Sequence, residues 1–255
     1  MQAIILAAGR GSRLGSMTEN QPKPLAKLAG KPLIEWQLAS LAAAGVDSVH
    51  VVCGYCSEAL QGYGNSRIMN ANWASSNMVR SLMCADAVLS AAPTLVCYGD
   101  IAYRPGIIRT LMASDAPLAI SYDREWWSLW SARFGDPLSD AESFRQQEGQ
   151  LITIGEQAQA REEIEGQYMG LLKFTPEGWQ GVSAVLAGLS TEQINKLDMT
   201  SLLRLLLSQG APIATVAISG GWVEVDNPSD ITLYEQRIAE LGWSHDWRTD
   251  SKLSY

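Results

Sequence analysis

The sequence predicts an α/β domain, built as a mostly parallel sheet with helices on both faces. Short apolar and β-branched runs alternate with segments whose apolar residues recur at helical spacing. The chain has 255 residues, of which 47% are hydrophobic and 18% are charged, a composition typical of soluble globular proteins. This alternation over this length favours one Rossmann-like domain around one core.

The alternation is clearest in the first 122 residues. Strands are predicted at 2–7, 48–53, 67–70, 94–98 and 117–122, and helices at 32–44, 78–90 and 105–113. Helical crossovers between successive strands favour parallel neighbours. Later strands are predicted at 166–174, 213–218 and 222–225, and later helices at 176–186, 199–208 and 228–241. Residues 123–165 are polar and acidic, with a turn at Gly149-Gln150 leading into a strand at 151–154.

The net charge of the chain indicates which classes of binding partner are disfavoured. Its formal net charge is −8, which argues against binding to nucleic acid or to an anionic membrane, because both require clustered Lys and Arg. Residues 1–31 are the exception, with five basic side chains and one acidic side chain. A basic first segment in an acidic protein predicts one local anion site.

Membrane segments and cysteine clusters are not apparent in the sequence. No apolar run reaches the roughly 20 residues of a membrane span, and the first ten residues do not have the pattern of a secretory leader. Cys53, Cys56, Cys84 and Cys97 are few for this length and are expected to be structural. These features favour a cytoplasmic location.

The segment after the first predicted strand has the composition of a phosphate-binding loop. Glycines let backbone N–H groups approach phosphate oxygens, and arginines add positive charge. A dinucleotide loop is disfavoured because Leu14 stands where its third glycine belongs, and a Walker loop because no Gly-Lys-Ser/Thr follows. A surface loop without a ligand is the alternative. The residues predicted to bind are Leu6, Ala7, Ala8, Gly9, Arg10, Gly11, Ser12 and Arg13.

A second motif, Pro-Lys-Pro-Leu at residues 22–25, holds Lys23 between two prolines that restrict its backbone. A lysine presented beyond an anion-binding loop suits a phosphate clamp. With Gly-Lys-Pro-Leu-Ile at residues 30–34, these motifs resemble the nucleotidylyltransferase superfamily. The resemblance implies a glycosyltransferase-A-like fold and an enzyme that joins a nucleoside triphosphate to a phosphorylated acceptor and releases pyrophosphate. It implies catalytic roles for Arg13 and Lys23.

Two carboxylate positions suit a metal ion. Asp100 follows the strand at 94–98, at the edge where open α/β sheets bind ligands. Glu224 and Asp226 lie two residues apart on a late strand, so their side chains share one face. Mg²⁺ binds one or two carboxylates plus phosphates and waters. The resemblance implies that Asp100 and Asp226 hold this ion and are catalytic. Glu224, on the same face of the strand as Asp226, is a further candidate ligand. Helix capping by Asp226 is the alternative.

A third motif bears on the nucleotide. Residues 76–82 read Ser-Asn-Met-Val-Arg-Ser-Leu, where most sugar-phosphate members carry a Gly-Thr-Ala type segment. This resembles the phosphocholine and phosphonate cytidylyltransferase branch. Asn77 and Ser81 share a helical face and offer an amide and a hydroxyl to a pyrimidine and its ribose; helix capping by Asn77 is the alternative. Gly54, Asn77, Ser81 and Gly99 complete the predicted nucleotide site, which includes Lys23.

The acidic middle segment is expected to recognise the acceptor. Residues 123–165 carry ten acidic and four basic side chains, together with three tryptophans. Carboxylates and aromatic faces together bind ammonium groups, which favours phosphocholine, phosphoethanolamine or 2-aminoethylphosphonate. Core packing is the alternative for the tryptophans. The predicted acceptor residues are Asp123, Trp126, Trp127, Trp130, Glu165 and Tyr168.

The resulting hypothesis is a Mg²⁺-dependent cytidylyltransferase with one domain, residues 1–255. Residues 1–122 would bind the nucleotide and 123–175 the acceptor, while 176–255 would supply closing helices and the late metal-binding strand. The expected partners are CTP and a small phosphate or phosphonate acceptor, without nucleic acid or membrane; a homodimer is left open. The alternatives are a sugar-1-phosphate nucleotidylyltransferase using another NTP and a noncatalytic nucleotide-sensing module.

Overall fold

One mixed sheet of nine strands runs through residues 1–248, the part of the chain that the computed structural model describes. The strands of this part are β1 (Gln2–Ala7), β2 (Lys27–Leu28), β3 (Lys31–Pro32), β4 (Ser48–Cys53), β5 (Ser66–Met69), β6 (Thr94–Tyr98), β7 (Ile101–Tyr103), β8 (Leu118–Asp123), β9 (Glu142–Gln147), β10 (Gln150–Gln157), β11 (Gln167–Phe174), β12 (Ala214–Ile218) and β13 (Trp222–Glu224). Its α-helices are α1 (Leu33–Ala43), α2 (Met78–Cys84), α3 (Asp86–Ala91), α4 (Pro105–Met112), α5 (Trp126–Arg133), α6 (Pro176–Ala187), α7 (Thr191–Lys196), α8 (Met199–Ser208) and α9 (Pro228–Arg237).

The strand order of the main sheet is β5-β4-β1-β6-β11-β8-β12-β10-β9. β5, β4, β1 and β6 are parallel neighbours, and so are β8 and β12. β11 runs antiparallel between β6 and β8, and β9 and β10 form an antiparallel hairpin. The predicted α/β sheet flanked by helices is confirmed, but the sheet is less parallel than predicted, since four of its eight strand pairings are antiparallel. Its longest parallel run comes from the first 98 residues.

β1 lies inside the parallel run because its residues are apolar on both faces. Ala3, Ile4 and Ile5 have no exposed surface, as expected for a strand covered by helices on both sides. Since β1, β4 and β6 are parallel, their carboxyl ends lie at one edge of the sheet. That edge carries the loops after Ala7 and Cys53 and the pair Gly99-Asp100, so the predicted phosphate loop and the first predicted metal carboxylate are neighbours.

Helix α5 occupies a segment that the sequence analysis left without a helix. Trp126, Leu129, Trp130 and Arg133 recur at helical spacing, and all four side chains are buried. The helical spacing of these residues was not recognised in the sequence because the surrounding segment is polar and acidic. The helix predicted at 78–90 is two helices, α2 and α3, which meet at Ala85.

The hairpin between β9 and β10 turns one residue earlier than predicted. Glu148 and Gly149 have φ angles of 51° and 76°, so both central residues are left-handed. Two left-handed residues are what a tight two-residue hairpin turn requires, because their twist matches that of the strands. The turn therefore reverses the chain at Glu148-Gly149 and leaves Gln150 in β10.

The segment after α9 packs back onto the sheet through aromatic and charged contacts. Trp247 is buried and lies edge-on to Trp36, with ring centroids 6.0 Å apart. His245 Nε2 lies 2.8 Å from Asp123 Oδ2, and neither side chain is exposed. These contacts tie the segment to the end of β8. None of the helices in residues 1–248 is long and apolar enough to cross a bilayer.

Candidate active site

The predicted metal carboxylates meet because β13 pairs with β7. The register places Glu224 opposite Ile101, and Val225 donates its N–H to Asp100 O at 2.9 Å. Side-chain oxygens of Asp100, Glu224 and Asp226 lie within 4.8 Å of one another. Two residues distant in sequence from Asp100 are thus brought to the carboxyl end of β6, as the sequence analysis predicted.

Lys23 lies between two of these carboxylates. Its Nζ is 2.8 Å from Asp100 Oδ2 and 2.7 Å from Asp226 Oδ1. Burial alone lowers the pKa of a lysine, but attraction to Asp100 and Asp226 outweighs it and raises the pKa of Lys23. Gly11 makes this placement feasible: its φ is +69°, and a Cβ there would approach Lys23 Cβ to 2.6 Å.

Arg133 lies beside the carboxylates, whereas the sequence offers it, with Arg124 and Arg145, only as an alternative contact for the anionic end of the acceptor. Its side chain is fully buried, and its guanidinium lies 3.2 Å from Glu224, 3.4 Å from Asp226 and 3.1 Å from Asp230. The same group lies over the ring of Trp130, 5.0 Å from its centroid. A buried cation with several carboxylate partners offsets their mutual repulsion and fixes their orientation. Arg133 therefore fixes the orientation of the Glu224 and Asp226 side chains.

The carboxylate cluster has the chemistry of a site for a hard divalent cation. Asp100 Oδ1 is buried and forms no hydrogen bond with any residue in 1–248, a costly state unless a further ligand is present. Burial and the adjacent Asp226 raise the pKa of Glu224 to about 8, because both disfavour the charged form of the carboxyl group. Carboxylate oxygens are the donors that Mg²⁺ prefers, so the residues present fit this ion.

A first cavity lies beside the carboxyl end of β1 and is called the Ser81 pocket. Its volume is about 130 Å³, and five of the predicted nucleotide residues line it. Asn77 also caps α2, since its Oδ1 accepts from Met78 N at 2.8 Å, so the capping alternative describes part of its role. The lining residues are Leu6, Ala8, Gly9, Trp73, Ser76, Asn77, Met78 and Ser81.

A second cavity, the Lys23 pocket, adjoins the first through Met78 and has a volume of about 360 Å³. It combines the phosphate-loop residues Gly11, Ser12 and Arg13 with the carboxylate cluster. The Arg13 side chain is 68% exposed and lies 3.6 Å from Asp226, which leaves it free to reorient toward an anion. The lining residues are Gly11, Ser12, Arg13, Lys23, Met78, Tyr98, Asp100, Glu224 and Asp226.

Four predicted nucleotide residues line neither pocket. Ala7 is buried at the end of β1, and Arg10 lies over the ring of Tyr55, 5.7 Å from its centroid. Gly54 and Gly99 are needed for close packing instead: a Cβ at Gly54 would lie 2.5 Å from Trp73 Cβ, and one at Gly99 would lie 2.6 Å from Leu6 O. Their role is to let neighbouring segments approach the loop.

A third cavity, the Glu142 pocket, shares Arg13, Tyr98, Glu224 and Asp226 with the Lys23 pocket and has a volume of about 200 Å³. It contains two predicted acceptor residues, Trp130 and Tyr168, and two carboxylates that were not singled out, Asp140 and Glu142. Burial and the nearby Asp198 raise the pKa of Glu142. The lining residues are Arg13, Tyr98, Trp130, Asp140, Glu142, Gln167, Tyr168, Thr200, Glu224 and Asp226.

The other predicted acceptor residues do not face this pocket. Asp123 has no exposed surface, and its oxygens accept from Gly220 N, Trp222 Nε1 and Glu125 N as well as contacting His245. It therefore does not line the Glu142 pocket.

Three further predicted acceptor residues, Trp126, Trp127 and Glu165, also lie outside the Glu142 pocket. Trp126 is buried in the core, and the Trp127 ring is already covered by Arg161, 4.5 Å from its centroid. Glu165 is exposed and accepts from Gln146 N at 3.1 Å, away from the pocket. A cage of three tryptophans around an ammonium group is not formed.

Nucleotidyltransferases are the class of enzyme that this fold and this arrangement of charges define. Residues 3–162 match the family of MobA-like NTP transferase domains, and the chain belongs to that family.

Two cytidylyltransferases are among its relatives. Over 250 residues the chain is 35% identical to CTP:phosphoglutamine cytidylyltransferase of Campylobacter jejuni, covering 91% of this chain and 98% of that protein. Over 86 residues, 32% of this chain and 38% of the relative, it is 42% identical to choline-phosphate cytidylyltransferase of Streptococcus pneumoniae. The predicted resemblance to this branch is confirmed.

The fold is also that of solved CTP transferases. The inositol-1-phosphate CTP transferase of T. maritima superposes with a TM-score of 0.73 at 18% identity, over 92% of this chain and 95% of that one. At this identity the likeness shows the shared fold.

Proposed function

We propose that this protein transfers CMP from CTP to a small phosphate or phosphonate acceptor and releases pyrophosphate. The observation that carries the proposal is the position of Lys23 and the three carboxylates between the Ser81 pocket and the Glu142 pocket. A nucleotide with its base in the first pocket would bring its phosphates to Lys23. An acceptor in the Glu142 pocket would lie against Glu224 and Asp226, which line both that pocket and the Lys23 pocket.

The chemistry needs no general base. The second pKa of a phosphate monoester is about 6, so the acceptor oxygen is already anionic at neutral pH. This oxygen attacks the α-phosphorus, a new P–O bond forms, and the bond to the bridging oxygen breaks as pyrophosphate leaves. Neither histidine of the chain lines the three pockets: His50 lies on β4 and His245 is buried against Asp123. Positioning and charge neutralisation remain as the sources of catalysis.

Each cation has a distinct task in this proposal. Arg13, which is largely exposed, would reorient to hold the triphosphate. Lys23, which is buried and fixed, would neutralise charge on the α-phosphate and on the departing pyrophosphate. The buried Arg133 would remain with Glu224 and Asp226, because it has no exposed surface from which to reach substrate.

We further propose that Asp100 and Asp226 hold Mg²⁺, with Glu224 as a third ligand. The unpartnered Asp100 Oδ1 and the raised pKa of Glu224 support this assignment. The bound ion would supply positive charge that stabilises the transition state.

An ammonium-bearing acceptor suits the Glu142 pocket. Asp140 and Glu142 supply negative charge at its wall, and Tyr98, Trp130 and Tyr168 supply aromatic surface. The two cytidylyltransferase relatives are named for acceptors built on choline and on glutamine, both of which carry a cationic nitrogen. Residues 123–175 contribute half of this lining, which supports the proposed acceptor-binding segment.

The test measures pyrophosphate release from CTP, UTP, dTTP, ATP and GTP with a panel of phosphorylated acceptors. The proposal expects CTP to be used best, with an ammonium-bearing phosphate or phosphonate. Best use of another NTP with a sugar 1-phosphate would replace it with the sugar-nucleotide alternative. Nucleotide binding without turnover on any acceptor would favour a sensing module. Gel filtration tests the homodimer.

A further inference from the structure

Asn70 lies directly after β5 with 1% of its surface exposed. Its side-chain Oδ1 accepts from Asn72 N at 3.0 Å. A backbone N–H can only donate, so this bond fixes which end of the amide is oxygen and which is nitrogen. The Nδ2 end therefore points the other way, toward two serines of the Ser81 pocket.

Both protons of Asn70 Nδ2 are used on these serines. Nδ2 donates to Ser76 Oγ at 3.1 Å and to Ser81 Oγ at 3.0 Å. Ser76 Oγ in turn donates to Asn72 O at 2.8 Å, because a carbonyl only accepts. The hydroxyl proton of Ser76 is therefore already used in a hydrogen bond within the protein.

The hydroxyl proton of Ser81 forms no hydrogen bond with any residue in 1–248. Its oxygen accepts from Asn70, and within residues 1–248 its O–H donates to no other group. Ser81 is 6% exposed and lines the Ser81 pocket. Asn70 therefore occupies one of the two lone pairs of Ser81 Oγ and leaves its O–H free to donate to whatever enters the pocket.

The polarity of this hydroxyl matters for pyrimidines. Position 3 of cytosine is an unprotonated nitrogen that accepts, whereas position 3 of uracil or thymine carries N–H. A hydroxyl whose proton is left free can donate to this nitrogen of cytosine, whereas a hydroxyl whose proton is taken by the protein cannot. A buried acceptor that is left unpaired is costly. Resting on the proposed function, we propose that Asn70 is a positioning residue that favours CTP over UTP by keeping the proton of the Ser81 hydroxyl available to N3 of cytosine.

The substitution Asn70→Asp tests this directly, because it keeps the shape of the side chain and replaces the donor by a second acceptor. At pH 8, where the carboxylate is ionised, Ser81 would donate to it and turn its lone pairs toward the pocket. We expect the ratio of kcat/KM for CTP to that for UTP to fall roughly 10-fold or more. Titration calorimetry without acceptor should show the same change in the ratio of the two dissociation constants.

Gln61→Glu is the matched control, since it makes the same amide-to-carboxylate change on an exposed side chain outside this network. It should leave the CTP to UTP ratio unchanged. In a Ser81→Ala background, Asn70→Asp should no longer change the ratio, because the hydroxyl that it reorients is gone. If Asn70→Asp fails to fold, Ser81→Ala alone must lower the ratio.

A folded Asn70→Asp protein that loses CTP and UTP activity equally, or keeps the wild-type ratio, overturns the assignment to Asn70 and leaves the proposed function intact. A wild-type protein that transfers a nucleotide other than CMP overturns the proposed function itself. The two failures are therefore distinguishable.

Discussion

Lys23 Nζ donates to Asp226 Oδ1 across 2.7 Å, although the residues are 203 positions apart. The same ammonium bonds Asp100, so one cation joins two of the three carboxylates. A metal ion on these carboxylates and a phosphate near Lys23 would therefore change one another's surroundings. In the proposed function, the site would therefore couple nucleotide and metal through a single lysine.

Lys23→Met should lower kcat more than it raises the KM for CTP, because the lysine acts chiefly on charge that develops in the transition state. A loss of about 100-fold in kcat is expected. Removal of the competing ammonium should also tighten Mg²⁺ binding measured by calorimetry without nucleotide. Lys27→Met, on an exposed neighbour, is the control. A large rise in KM with unchanged kcat would make Lys23 a simple binding residue.

Asp100→Asn and Asp226→Asn should each lower turnover at least about 100-fold, because charge stabilisation by a bound Mg²⁺ is worth several kcal/mol. Thermal unfolding should show that both variants still fold. Asp47→Asn, at an exposed site, should be unaffected. Near wild-type turnover of either variant at saturating Mg²⁺ would remove that aspartate from the proposed metal site.

Asp140→Asn and Glu142→Gln should reduce the preference for an ammonium-bearing acceptor. A partly buried charge–charge contact of about 1.4 kcal/mol corresponds to about 10-fold in kcat/KM. The measurement compares 2-aminoethylphosphonate with ethylphosphonate, and phosphocholine with ethyl phosphate. Glu162→Gln, on an exposed residue of the same segment, is the control. Equal use of charged and uncharged acceptors by the wild type would discard the ammonium site.

Asp123 should contribute to stability in a pH-dependent way. Burial alone would raise its pKa, but hydrogen bonds from His245, Gly220 N and Glu125 N outweigh burial and hold the pKa below its usual range. A depressed carboxyl pKa stabilises the fold above the unfolded value, near 3.9, and this contribution is lost as the pH falls through the folded pKa.

Asp123→Asn should therefore lower the free energy of unfolding at pH 7 by about 3 kcal/mol, since the buried carboxylate and its hydrogen bonds are lost. Urea titrations should show that the difference from wild type shrinks as the pH falls below 4. The exposed Asp115→Asn variant provides the baseline. A difference that stays constant from pH 7 to pH 3 would contradict this role.

The parts of the fold that a local pattern determines were predictable from sequence. β1 and β4 have their predicted bounds because their apolar runs are short and uninterrupted. The role of Arg133 was not predictable, because its partners Glu224, Asp226 and Asp230 lie 91 to 97 positions away. A charged side chain in a local window is normally expected to be solvated.

The candidate site also contains residues that were predictable from sequence and residues that were not. The carboxylates and Lys23 follow buried strands or prolines, so their place at the edge of the sheet could be inferred. Composition alone suggested that the tryptophans of α5 bind the acceptor, yet Trp126 packs in the core and only Trp130 reaches the Glu142 pocket. Which face of a helix is buried depends on tertiary contacts.

The formation of a CMP–acceptor conjugate tests the central claim most directly. The purified protein is mixed with CTP, Mg²⁺ and 2-aminoethylphosphonate or phosphocholine, and the reaction is followed by ³¹P NMR, with Asp226→Asn as the inactive reference. Our account predicts coupled resonances of a new P–O–P bridge to the acceptor phosphorus, together with one equivalent of pyrophosphate. Unchanged CTP, or its conversion to free CMP without a conjugate to either acceptor, would contradict it.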